Sequence, residues 1–310
     1  MLHLPTIIEE FLKSEEHFIT KESINKALCY QPQSLDIFIV THMKCGTTWM
    51  QQISHGLRSH GSMNFDEIFE VVPWFEVAYD VGVDILQPQV NSPHLFKTHL
   101  PLSRLPQGGK YIVIIREPKD VLLSDYYFQN GSSFEKDSIS LIEFAQQFYF
   151  LENNPIGDAS LWKHIQDFWN YRKNVNVLAL CYEHIKNNLP ETVKLVANFM
   201  GINLTPDLQN LVVIQSSADF MYKHKEKFDE HIVLKSRDDA LDCTGSIRQN
   251  KVNADEKLKY SHINKETLSD IQYELEKMWQ RKITDVFGLQ SYTDILKERM
   301  SLYQNLPTVG

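Results

Sequence analysis

Short apolar runs rich in β-branched residues recur along the chain, each followed by a polar turn and then by helical spacing. Asp36–Val40 is such a run, as expected for a strand buried on both faces. The polar stretch Thr41–Gly46 follows it, and Thr47–Arg58 carries the period of a helix. His94–His99 reads as a second strand ended by Pro101, and Lys110–Arg116 as a third and the clearest. Pro118 stands where a first helical turn accepts proline, so a helix is expected from there to about Gln129. Aromatic-rich helical segments are expected near Ser140–Leu151 and Ser160–Arg172, then a strand over Asn174–Tyr182. A helix over Pro190–Met200 should close on Gly201. Strands alternating with helices predict an α/β protein with a mostly parallel central sheet flanked by helices. Lys223–Asp255 is polar with little periodicity, and a loop that long in a compact protein predicts a functional cover. Helical spacing returns over Lys265–Gln280.

Twelve glycines and twelve prolines are scattered over 310 residues, 43% of them hydrophobic, so a single domain without a linker is expected. The net charge of −9 argues against broad nucleic-acid binding. A local positive pocket for one phosphorylated nucleotide remains compatible with it. Cys29, Cys45, Cys181 and Cys243 match neither a zinc nor a redox spacing. That predicts no metal, no disulfide framework and a reducing, cytoplasmic location. Residues 1–18 mix charged with apolar positions, so neither a signal-peptide core nor a membrane span is expected.

Three constellations carry chemistry. Lys44, Cys45, Gly46, Thr47, Thr48 and Trp49 occupy a strand-to-helix turn, where amides, the helix dipole and a lysine can hold an anion. It is not a Walker A loop, because the lysine precedes the glycine. Trp49 offers a face to a base. Arg116 leaves the end of the clearest strand, and Ser124 lies about two helical turns further on, so both can converge on one phosphate. The competing reading pairs Arg116 with Asp120 or Asp125. Lys97 and His99 end the second strand, a cation and an imidazole side by side.

Taken together and in this order, these segments resemble the PAPS-dependent cytosolic sulfotransferases, PAPS being 3′-phosphoadenosine-5′-phosphosulfate. Lys44–Trp49 is similar to the family's PKSGTTW loop, Ser92–Pro101 to its histidine-bearing strand, and Arg116–Ser124 to its 3′-phosphate element. Val72–Glu76 resembles its VPFLE segment and Cys181–Pro190 the stretch whose tyrosine contacts adenine; the resemblance covers roughly residues 35–205. It implies a P-loop-like fold over 1–310, with a nucleotide core at 35–205 and a PAPS-covering stretch at about 223–255. It implies that Lys44 through Trp49, Arg116, Ser124 and Tyr182 hold PAPS or its product PAP. His99 would be the general base, with Lys44 and Lys97 supporting transfer to a small-molecule acceptor held by Trp74, Phe75, Glu76, His99 and Tyr127. Glu76, Asp80 and Asp125 raise the further expectation of a cationic acceptor.

The chain departs from the family in three places. Arg248-Gln249-Asn250 stands where RKG is usual, and asparagine's tolerance of left-handed dihedrals keeps these residues as expected PAPS contacts. Ala218 stands where a stacking phenylalanine would align, with Phe220 two residues on. The family's usual dimer motif is not found, so a homodimer is not carried over. The alternatives are an ATP-dependent P-loop phosphotransferase and a non-catalytic PAP-binding protein.

Overall fold

In the computed structural model the run Ile37–Thr41 is strand β1, buried at all positions. Its residues alternate between two cores, which is why no polar position interrupts it. Residues 5–130, 133–150, 160–240 and 263–304 are described. Among them stand four strands in the order β2-β1-β3-β4, all parallel, with β2 Leu95–Thr98, β3 Lys110–Ile115 and β4 Val177–Cys181. β1 sets Ile39 opposite Lys97 on one side and Ile112 on the other.

Helices α1 (Ile8–Phe18) and α2 (Lys21–Leu28) precede β1, and α3 (Thr47–Arg58) and α4 (Ile68–Val71) follow it. After β3 come α5 (Pro118–Gln129), α6 (Leu141–Phe148) and α7 (Leu161–Tyr171). After β4 come α8 (Tyr182–Asn187), α9 (Leu189–Met200), α10 (Pro206–Gln215), α11 (Ala218–Lys223) and α12 (His231–Ala240). The described C-terminal part holds α13 (Lys265–Trp279) and α14 (Tyr292–Gln304).

One core joins Phe38, Val40, Val113, Ile115 and Ala179 to residues of α5, α6, α7 and α13. The other joins Ile37, Ile39, Ile112, Ile114 and Leu180 to Met50, Ile53 and Leu57 of α3 and to α9 and α10. The result is three layers, helix–sheet–helix. Chain leaving β1 enters the second helical layer through α3, and chain leaving β3 enters the first through α5. A crevice therefore opens beyond the carboxyl ends of these neighbouring strands, where open α/β sheets bind ligands.

The fold differs from the sequence reading in places that have local causes. β4 starts at Val177, because Asn174 Oδ1 accepts the Asn176 amide and turns the chain first. α6 stops at Phe148, short of Leu151. The expected irregular stretch from Lys223 instead holds the short helical turn Lys225–Phe228 and α12, whose Val233 packs with Phe69, Trp74 and Val77. Residues 241–262, with Arg248, Gln249 and Asn250, lie outside the described residues. Helix α9 closes on Gly201 at φ 75°, as its sequence required.

Candidate active site

The turn after β1 is shaped by two left-handed residues, Lys44 at φ 63° and Gly46 at φ 98°. Such a turn aims backbone N–H groups at one point. Gly46 gives α3 no capping side chain, so the amides of its first turn are offered to an anion. A Cβ on Gly46 would lie 3.0 Å from Cδ2 of Tyr182, so only glycine lets that ring approach. The Tyr182 ring in turn carries the Arg116 guanidinium at 4.3 Å, and Arg116 Nη1 donates to the Lys44 carbonyl at 3.1 Å. The Trp49 ring meets Tyr182 edge-on at 5.8 Å, and its Nε1 donates to the Ser216 carbonyl at 2.7 Å. Three aromatic or cationic planes thus gather around the glycine that begins α3. Ser124, half-buried, stands on α5.

The other wall grows from β2. His99 Nδ1 lies 2.8 Å from the Thr41 carbonyl oxygen, so that nitrogen carries the proton and donates. The tautomer leaves Nε2 as the basic nitrogen. The His99 main chain is fixed at both ends: its amide donates to Glu76 Oε1 at 2.7 Å, and its carbonyl accepts from His164 Nε2 at 3.0 Å. Burial, with the neighbouring His42 ring, lowers the His164 pKa to about 3, and burial lowers that of His42 to about 4. Both rings are therefore neutral supports. Trp74 meets the His99 ring edge-on at 5.1 Å and lies 4.3 Å beneath the Lys97 ammonium. Lys97 is 2% exposed and forms an ion pair with Glu230. Thr41 links the two walls, its Oγ1 lying 2.6 Å from Thr47 Oγ1.

A sulfotransferase domain model matches residues 34–285. The chain belongs to the sulfotransferase family. It is 29% identical over 259 residues to human sulfotransferase 2A1, covering 81% of this chain and 85% of that one. It is also 33% identical over 180 residues to mouse sulfotransferase 4A1, covering 54% of this chain and 60% of that one. In fold it resembles a retinol dehydratase in complex with retinol and PAP (TM-score 0.61, 14% identity, 91% of this chain and 97% of that one). A mouse sulfotransferase, SULT7A1, complexed with PAP resembles it equally (TM-score 0.61, 17% identity, 92% and 95%). This chain is thus a PAPS-dependent sulfotransferase by family.

Several expected site residues of this sulfotransferase stand elsewhere than the sequence suggested. Phe75 is fully buried among Tyr30, Phe38 and Phe96, an aromatic cluster beneath the sheet rather than an acceptor wall. Glu76 is also buried and grips the His99 amide, so it supports the histidine instead of facing an acceptor. Asp80 accepts from the backbone and hydroxyl of Thr20, at the start of α2. Asp125 accepts from the Tyr149 hydroxyl at 2.9 Å. Each of these three acids makes at least one hydrogen bond within the protein. The Cys45 thiol is buried, and burial raises its pKa to about 12, so this residue offers only its main chain. Arg116 turns to Lys44 and Tyr182, not to Asp120 or Asp125. The Tyr127 ring lies 5.4 Å from Tyr126. Phe220, two residues beyond the position of the missing stacking phenylalanine, lies against His224 at 4.4 Å.

Sequence reasoning missed His164 and Glu230. His164 had a signal: it interrupts the apolar stripe of Leu161, Ile165 and Phe168, and a polar residue there asks for a partner. Glu230 had none, since its partner lies 133 residues away.

Burial raises the Asp125 pKa to about 6, against the help of the Tyr149 hydroxyl and the Lys44 charge. A carboxyl raised in the folded state favours folding while protonated, and that contribution is lost as pH rises through about 6. Asp125→Asn keeps an acceptor for Tyr149 and cannot ionise. We expect it to be more stable than the parent at pH 7.5 by roughly 1–3 kcal/mol, with the gap closing by pH 4. Urea melts at the two pH values measure this.

Proposed function

We propose that this sulfotransferase moves the sulfuryl group of PAPS to a hydroxyl or amine of a small-molecule acceptor, with His99 as general base. The carrying observation is His99 Nδ1 set 2.8 Å from the Thr41 carbonyl oxygen, just past β2 and beside the strand that leads to Lys44 and Gly46. An imidazole so held has Nε2 as its basic nitrogen.

The residues present fit PAPS. The cradle at Gly46 is one that a Cβ would fill, and Lys44, Arg116, Thr47 and Thr48 supply cations and hydroxyls suited to a phosphosulfate and a second phosphate. Trp49 and Tyr182 offer planar faces for the adenine. PAPS, when bound, supplies a sulfur on a phosphate leaving group. His99 Nε2 takes the proton from the acceptor oxygen or nitrogen. Lys44, beside the loop amides, holds the charge left on the departing phosphate, and Lys97 holds charge on the sulfuryl oxygens. Trp74 packs edge-on against the His99 ring. In this reading residues 35–205 bind the donor. Among the described residues no helix is long and apolar enough to cross a membrane, and Cys29, Cys45 and Cys181 are free thiols.

Thermal unfolding with PAP, ADP and ATP–Mg²⁺ tests the donor. PAP is expected to raise the melting temperature well above the rise from ADP, a hundredfold excess over Kd adding about 2.7 kcal/mol. A rise with ATP–Mg²⁺ and none with PAP overturns the reading. Release of PAP from PAPS, followed with a phenol, a 3β-hydroxysteroid and an arylalkylamine, then ranks acceptor classes.

A further inference from the structure

Lys97 is held in a way its sequence position does not explain. Its side chain is 2% exposed, its ammonium lies over Trp74 at 4.3 Å, and its ion-pair partner Glu230 comes from a remote segment. Glu230 is itself buried and adopts φ 57°, a left-handed backbone that costs a non-glycine residue energy. Such strain persists only where the surroundings over-determine it.

The surroundings do so here. On the N-terminal side, Lys227 Nζ donates to the Phe65 carbonyl. Asp229 Oδ1 takes a hydrogen bond from His231 Nδ1 at 2.6 Å, and His231 Nε2 reaches Asp66 Oδ2 at 3.2 Å. On the C-terminal side, Val233 packs with Phe69, Trp74 and Val77. The chain on both sides of Glu230 is thus fastened to the segment 65–77, which also supplies Trp74. The carboxylate is delivered to Lys97 by a fixed backbone, not by a roaming side chain.

A lysine ammonium on its four-carbon stem is a poor positioning device unless its surroundings restrict it. Trp74 restricts one side, and Glu230 takes one of the three N–H donors. We propose that Glu230 is a positioning residue for sulfuryl transfer, holding the Lys97 ammonium over Trp74 so that its remaining donors serve the reaction beside His99. The proposal rests on the role of Lys97 in that reaction, and Glu230 acts only through it.

The test is a double-mutant cycle on kcat and KM, read as PAP release with the fastest acceptor of the panel. Hydrolysis by water takes the acceptor's place if none is faster. Glu230→Gln is expected to lower kcat roughly 10- to 100-fold, with KM for PAPS within about twofold, since a donor-binding defect is not expected. In the Lys97→Met background the same change is expected to cost nothing further, because the group it positions is gone. A merely structural Glu230 gives losses that multiply across the two backgrounds, and that result overturns the proposal. So does an unchanged kcat in Glu230→Gln. If Lys97→Met itself keeps full kcat, the role of Lys97 falls and this proposal with it, while the His99 assignment stands on its own variant. Should Glu230→Gln lose the PAP-induced shift, Glu230→Asp carries the test. The pinned backbone leaves its shorter carboxylate out of reach, so kcat falls and Lys97→Met again masks the fall; full kcat in Glu230→Asp overturns the proposal.

Discussion

His99→Ala is expected to lower kcat roughly 10²–10⁴-fold while leaving the PAP-induced rise in melting temperature unchanged. The separation follows from the geometry. His99 follows β2, its Nδ1 committed to the Thr41 carbonyl, whereas the donor cradle stands on β1 and α3. Removing the imidazole deletes the basic nitrogen and a ring packed on Trp74, but touches none of Gly46, Arg116 or Tyr182. His99→Asn, which can still donate to Thr41, is expected to be as inactive as alanine. Single-turnover PAP release and melting with PAP together decide the matter: a His99→Ala protein with kcat within threefold of the parent removes the base assignment.

Gly46→Ala should show the opposite pattern, with donor binding lost first. The residue sits at φ 98°, where any side chain strains the backbone, and its Cβ would lie 3.0 Å from the Tyr182 ring. Backbone strain alone costs of order 1–3 kcal/mol. The collision adds to it by pushing Tyr182, and Tyr182 carries Arg116. We expect lower stability in urea and at least a tenfold weaker PAP titration. Gly201→Ala is the control. It has φ 75° but nothing within 4 Å of its added Cβ, so it should lose stability without losing PAP affinity. Equal PAP affinities in the two variants would mean that the loop tolerates a displaced Tyr182, and the glycine cradle would then no longer account for donor binding.

The parts of the fold legible in the sequence are those in which one physical pattern dominates. Ile37–Thr41 and Lys110–Ile115 are buried on both faces, and unbroken apolar runs report that directly. The starts of α3 and α5 are equally plain, since Gly46 and Pro118 punctuate them. The helices that escape a sequence reading carry weaker or mixed patterns. α10 leaves Leu211 and Ile214 exposed, which blurs its face, and α12 meets the core mainly through Val233. Each motif of the proposed donor cradle is local in sequence and so can be read from it, although Gly46, Arg116 and Tyr182 meet only in the fold. The acceptor wall is not local: Phe75 and Glu76 are neighbours in the chain, yet one lies under the sheet and the other under the His99 amide. Their roles depend on how residues 73–75 run beside β2, where the Lys97 amide bonds to Pro73 and the Phe75 amide to Lys97. Only tertiary pairing decides that, as it does for Glu230.

The sheet order carries an evolutionary consequence. The proposed donor cradle hangs on the two central strands, and His99, the proposed base, follows β2 at the margin of the described sheet, against residues 65–77 and the segment that leads into α12. Drift in that outer material can reshape what the enzyme accepts while the central strands keep the donor chemistry constant.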